Sequence, residues 1–126
     1  RYGGTVDVIG FGPLSAEDVM KEKELNREER NKTVMETGAL VMAEFYADWC
    51  PHCQKMMPIV KEFKELEKGK LEVVQINIEE ESALADLYTV ESIPTFILLR
   101  KGEALWRQSG EMSLDRLRKV VEDVVG

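Results

Sequence analysis

The chain has only two cysteines and one histidine in 126 residues, and all three fall within four positions, at Cys50, His52 and Cys53. A structural zinc site ordinarily uses four protein ligands. Two thiolates and one imidazole, with no second cluster elsewhere, could hold a metal only if the site were bridged between two chains. No apolar run approaches the ~20 residues of a membrane-spanning helix; the best candidate, Ala39–Ala47, is interrupted by Glu44. Asp and Glu outnumber Lys and Arg, 24 to 17. A net charge of −7 argues against a nucleic-acid partner, which would need a basic face. There are no internal repeats and no low-complexity segments. The chain lacks an initiator Met, as expected of a processed or trimmed product from which a signal or anchor would be missing. Cysteine usage leaves both a cytoplasmic and an extracytoplasmic location open.

What is present reads as one folded domain. Hydrophobic residues at 44% and charged residues at 33% place the chain among globular rather than disordered sequences. Thr5–Ile9 alternates and is β-branched, which predicts a short strand. Gly10–Pro13 breaks it, and Ser15-Ala-Glu-Asp18 resembles a capping box that opens a helix. Lys21–Lys32 is nearly all charged and reads as a solvated helix face with ion pairs, the alternative being a docking surface. Val34 and Met35 are expected to pack the end of this helix on a sheet, with Gly38 as its stop.

Ala39–Ala47 is too continuously apolar for a half-exposed strand and predicts a central one covered on both faces. Gln54–Lys68 carries Met56, Ile59, Val60, Phe63 and Leu66 at helical spacing, with Pro58 predicting a kink and Lys68-Gly69-Lys70 closing the helix. Leu71–Ile78 is a strand, and Ser82–Tyr88 a short helix with Leu84, Leu87 and Tyr88 inward. Thr95–Arg100 and Glu103–Ser109 pair around a Lys101-Gly102 turn. Ser113 caps a last helix whose buried stripe is Leu114, Leu117, Val120, Val121 and Val124. The order β-α-β-α-β-α-β-β-α predicts an α/β fold, a mixed central sheet with helices on both faces.

The two cysteines stand where a strand gives way to a helix. Residues three apart on a helix share a face, so Cys50 and Cys53 can close a disulfide if that turn is helical. Free N–H groups and the helix dipole place partial positive charge at a helix start and favour a thiolate there. Cys50 is therefore expected to be the exposed attacking thiol and Cys53, one turn deeper, the resolving one. His52, if protonated, would favour the Cys50 thiolate further. The alternatives are small buried cysteines or half of a metal site. Glu44 lies within the most apolar strand, where burial disfavours the ionised carboxylate; the alternative is a local edge from which it reaches solvent.

Glu44-Phe-Tyr-Ala-Asp-Trp-Cys-Pro-His-Cys53, Pro58, Ile93-Pro94-Thr95 and Gly110 agree in order and spacing with the thioredoxin family, which the chain resembles from about Ala39 onward. The resemblance implies a thioredoxin-like core over residues 39–126, with residues 1–38 a strand and charged helix of the same domain. It implies a cis Ile93–Pro94 bond against the redox pair, Ile93 presenting its backbone to an extended substrate, and Trp49 as a lip of the site. Pro51 would join that substrate surface, and Gly110 would let a substrate backbone approach. Glu44 would assist proton transfer at Cys53, directly or through a water. Two departures stand out. The family's common lysine partner of the buried acid appears as Gln75. The dipeptide Pro51-His52 looks like that of periplasmic disulfide-forming oxidases, although the helical insertion of that group cannot fit here. A histidine that stabilises the reduced thiolate implies a disulfide more oxidising than that of common thioredoxins, near about −270 mV.

The function implied is protein thiol–disulfide exchange in either direction, with the Cys50–Cys53 disulfide as redox group and no metal or organic cofactor. Partners would be cysteine-bearing proteins and an upstream redox protein, and the chain is expected to be monomeric. Two other classes remain: a thioredoxin-fold binding module whose cysteines are not its main function, and the metal site shared between two chains.

Overall fold

The computed structural model describes residues 27–125. The expected strand at Thr5–Ile9, the break at Gly10–Pro13 and the helix start at Ser15–Asp18 lie outside the described residues.

The first described element, α1, is helical over residues 27–36. Met35 is fully buried and Val34 packs beside it on the sheet. The helix does not end on Gly38 as expected. Gly38 lies two residues past it and has no positive φ. The Thr37 hydroxyl and amide both donate to the Val34 carbonyl instead, at 2.8 and 3.3 Å, which closes the last turn without a left-handed residue.

The remaining elements are β1 (Leu40–Tyr46), α2 (Pro51–Leu66), β2 (Glu72–Asn77), α3 (Ser82–Leu87), β3 (Thr95–Arg100), β4 (Glu103–Ser109) and α4 (Leu114–Val125). Among the described residues the sheet has four strands in the order β2-β1-β3-β4. β1 and β2 are parallel, joined by α2 as the crossover, while β1 pairs β3 and β3 pairs β4 antiparallel. The mixed sheet expected from the sequence is therefore present.

β1 runs through the middle, which explains its unbroken apolarity. Leu40 and Met42 face a core built with α2 and α4, including Met56, Val60, Phe63, Leu117, Val120 and Val121. Val41, Ala43 and Phe45 face the opposite core, with Met35 of α1 and Leu84 and Ala85 of α3. Each such large side chain contributes on the order of 1.5–3 kcal/mol by leaving water. Strand alternation puts Glu44 on the side of Leu40 and Met42, the side that α2 covers.

Two expected core positions face solvent. Leu66 of α2 and Leu87 of α3 are 44% and 57% exposed. The buried stripe of α2 runs Cys53, Met56, Val60, Phe63, and its next helical step reaches Glu67 rather than Leu66. Glu67 is buried with its carboxylate 3.7 Å from Arg118 Nε. In the six-residue α3, Leu84, Ala85 and the following Tyr88 share the inner face, which turns Leu87 outward. α2 continues through Pro58 as a single helix to Leu66. In the β3–β4 turn both Lys101 (φ 53°) and Gly102 (φ 78°) are left-handed, the backbone that suits a tight hairpin. Ser113 Oγ accepts the Arg116 amide at 3.1 Å, the cap expected for α4.

Candidate active site

β1 ends at Tyr46, and a short turn delivers the chain to α2. Cys50 is the N-cap, with extended backbone (φ −83°, ψ 117°), and its Sγ accepts the Cys53 amide at 3.4 Å. The sulfur thus occupies the place a serine or aspartate oxygen usually takes. Pro51 follows as the first helical residue, where its missing N–H costs no intrahelical bond. Its side chain is exposed.

Both cysteines are free thiols and both are buried, Cys50 at 3% exposure and Cys53 at 2%. The expectation that Cys50 would be the exposed thiol is corrected here. Ala47, Tyr46 and Ile93 pack around the pair. Ile93 arrives on the loop before β3, where the Ile93–Pro94 bond is cis, and the Cys50 thiol donates to the Ile93 carbonyl at 3.9 Å. That loop is tied down from behind. The Thr95 hydroxyl donates to the Ser92 carbonyl at 2.6 Å and meets Ser109 Oγ at 2.8 Å, and the Gly110 amide donates to the Pro94 carbonyl at 2.8 Å. Gly110 has φ +101°, a region that penalises any side chain, and open space where a Cβ would point.

Burial pushes the Cys53 thiol up to about 12, with its side-chain hydrogen bond to the Cys50 sulfur and the nearby Glu44 charge acting in the same direction and a backbone bond at Ala47 opposing them. Glu44 is 1% exposed. Burial raises its carboxyl above the ordinary range, opposed by a hydrogen bond from Gln75 Nε2 to Oε1 at 3.0 Å. Gln75 is the cross-strand register partner of Glu44, so a neutral amide stands where a cation could have lowered that carboxyl.

Trp49 is 62% exposed beside the pair. His52 is also exposed, at 64%, and its Nδ1 lies 2.5 Å from Glu111 Oε2. The Glu111 carboxyl is held below its usual range, first by that contact and also by the charge of Lys55. Glu111 is the site residue that sequence reasoning missed. It lies 59 residues from His52, and an acid at that place carries no local signal of the contact. Among the described residues no three His, Cys, Asp or Glu side chains are grouped to hold a metal ion.

A family model described as Thioredoxin matches residues 21–123. The chain belongs to the thioredoxin family. It is similar to Thioredoxin Y1, chloroplastic, of Arabidopsis thaliana, with 40% identity over 83 residues, covering 66% of this chain and 48% of that one. It is also similar to Thioredoxin 1 of Chlorobaculum tepidum, with 33% identity over 86 residues and 68% and 85% coverage. Among solved structures, a mutant thioredoxin from Halobacterium salinarum superposes with a TM-score of 0.66 at 32% identity, covering 78% of this chain and 84% of that one. Thioredoxin from Trypanosoma brucei brucei gives 0.69 at 24% identity, with 77% and 84% coverage, a likeness of fold. The chain spans about half the length of the chloroplastic relative. As a member of the thioredoxin family with its paired cysteines three residues apart, the described domain is a thiol–disulfide oxidoreductase domain.

Proposed function

We propose that the protein reduces disulfides in other proteins through Cys50 and is itself re-reduced by an upstream redox partner. The Cys50 thiolate attacks one sulfur of a substrate disulfide. The substrate S–S bond breaks, a Cys50–substrate bond forms, and the leaving thiolate takes a proton. Cys53 then loses its proton and attacks Cys50 Sγ. This releases the second substrate thiol and leaves the Cys50–Cys53 disulfide, so two electrons have passed to the substrate.

The observation that carries this reading is the position of Cys50. Its sulfur caps α2, accepting the Cys53 amide, and lies against the Ile93 carbonyl at the cis Ile93–Pro94 bond. One contact puts the resolving residue beside the attacker. The other puts the attacker beside backbone that an extended substrate can pair with. Because Cys50 is buried, a substrate sulfur must enter between Trp49, Pro51 and the Ile93 loop, and the space at Gly110 admits its backbone. A neutral Cys53 does not compete as nucleophile in the first step. In the second it needs a base, and the role falls to Glu44, whose charge is felt at that thiol, acting directly or through a water. The protein works as a monomer, and residues 27–38 belong to the same domain, Met35 packing on the sheet.

Insulin reduction with dithiothreitol, run beside oxidative refolding of a reduced substrate, tests the proposal. Catalysed insulin reduction that exceeds the refolding activity and disappears in Cys50→Ser is expected. Insulin reduction unaffected by Cys50→Ser would overturn it.

A further inference from the structure

The Pro51-His52 dipeptide alone implies an oxidising disulfide, because an imidazolium beside Cys50 stabilises the reduced thiolate. The structure gives that imidazole a partner. Glu111 Oε2 lies 2.5 Å from His52 Nδ1. The carboxylate is carried on backbone fixed at both neighbours: the Gly110 amide donates to the Pro94 carbonyl at 2.8 Å, and the Met112 amide to Met56 Sδ at 3.4 Å. One anchor is the cis-proline loop that covers Cys50, and the other is α2 one turn beyond Cys53. The segment therefore holds its acid in register with the start of α2.

We propose that Glu111 is the counter-ion of His52 and its positioning residue, holding the disulfide more reducing than the Pro-His dipeptide would leave it. The inference rests on the thiol–disulfide activity proposed above. With Glu111 ionised, a protonated His52 and the carboxylate sum to no net charge next to the redox pair, so the thiolate gains little from the imidazolium. Lys55, on the first turns of α2, is the other cation that acts on Glu111, and it helps keep the carboxylate ionised. Both His52 and Glu111 are substantially exposed, so the interaction is that of a screened surface pair, and the effect expected is correspondingly modest.

The test is the equilibrium of each protein with a glutathione redox buffer at pH 6. Glu111→Gln should remove the carboxylate that faces His52 and shift the equilibrium toward reduced protein about two- to fivefold, the range of an exposed ion pair. Glu111→Lys should shift it at least as far. In a His52→Ala background, with nothing to hold the carboxylate in place, Glu111→Gln should change the equilibrium by less than half as much. No shift in the native background, or the same shift in both, would overturn the pairing. A native protein whose disulfide never equilibrates with glutathione would instead remove the activity on which the pairing depends.

Discussion

Alkylation of the reduced protein at Cys53 gives a sharp test of how the fold divides labour between its two thiols. A thiol at about 12 rather than 9.0 carries about a thousandfold less thiolate at pH 7. The more basic thiolate is intrinsically more nucleophilic, and a Brønsted slope of about 0.4–0.5 returns about 15- to 30-fold of that loss. The balance predicts iodoacetamide labelling of Cys53 about 30- to 60-fold slower than that of a free cysteine. Steric burial at 2% exposure makes this a minimum retardation. Early time points quenched and resolved by mass spectrometry report Cys53 separately from Cys50. The Cys53 rate should rise about tenfold per pH unit up to pH 10 without a plateau, as expected of a thiol that remains protonated there. Because burial is the largest cause, Cys53 should remain slow in Cys50→Ser. A Cys53 that labels as fast as free cysteine, or a plateau at or below about pH 9, would refute the reasoning.

Two further outcomes follow from buried polar groups. The folded-state pKa of Glu44 is raised above its unfolded value, so its contribution to stability is fully present below about 4.5 and is lost as pH rises through the raised folded value. Denaturant titrations in reductant should therefore show Glu44→Gln similar to the native protein near pH 4 and relatively more stable toward pH 8, by about 1.4 kcal/mol for each unit of the pKa difference; parallel stability–pH curves would contradict the burial argument. Thr95→Val removes the buried hydroxyl that joins Ser92 and Ser109 behind the cis-proline loop, and with it both of those hydrogen bonds. A loss of about 0.5–1.5 kcal/mol is expected in the same titration, together with slower insulin reduction, and unchanged values for both would show that the loop needs no such tie.

Much of this arrangement was legible in local sequence. A continuous apolar run flanked by Cys-x-x-Cys and a helical stripe specifies a central strand feeding a helix, because each signal depends on residues a few positions apart. The Lys101-Gly102 turn and the Ser113 cap are legible for the same reason. The burial of Cys50 was not, because the residue that covers it, Ile93, comes 43 positions later on a loop whose path local pattern does not determine. Leu66 and Leu87 were misplaced at helix ends, where a small error of phase turns a side chain from core to solvent. Glu44 announced itself, since an acid in an apolar strand is costly wherever it points. Glu111 gave no such sign. An acid in a turn is ordinary, and only the folded chain brings it against His52.

The most direct measurement is to trap the intermediate. Cys53→Ser, reduced and mixed with a disulfide-bearing protein substrate, should accumulate a covalent adduct that dithiothreitol dissolves and that peptide mapping places at Cys50. Cys50→Ser should form none on the same timescale. Equal trapping by Cys50→Ser, or an adduct mapped to Cys53 in the native chain, would contradict the assignment of Cys50 as the attacking sulfur.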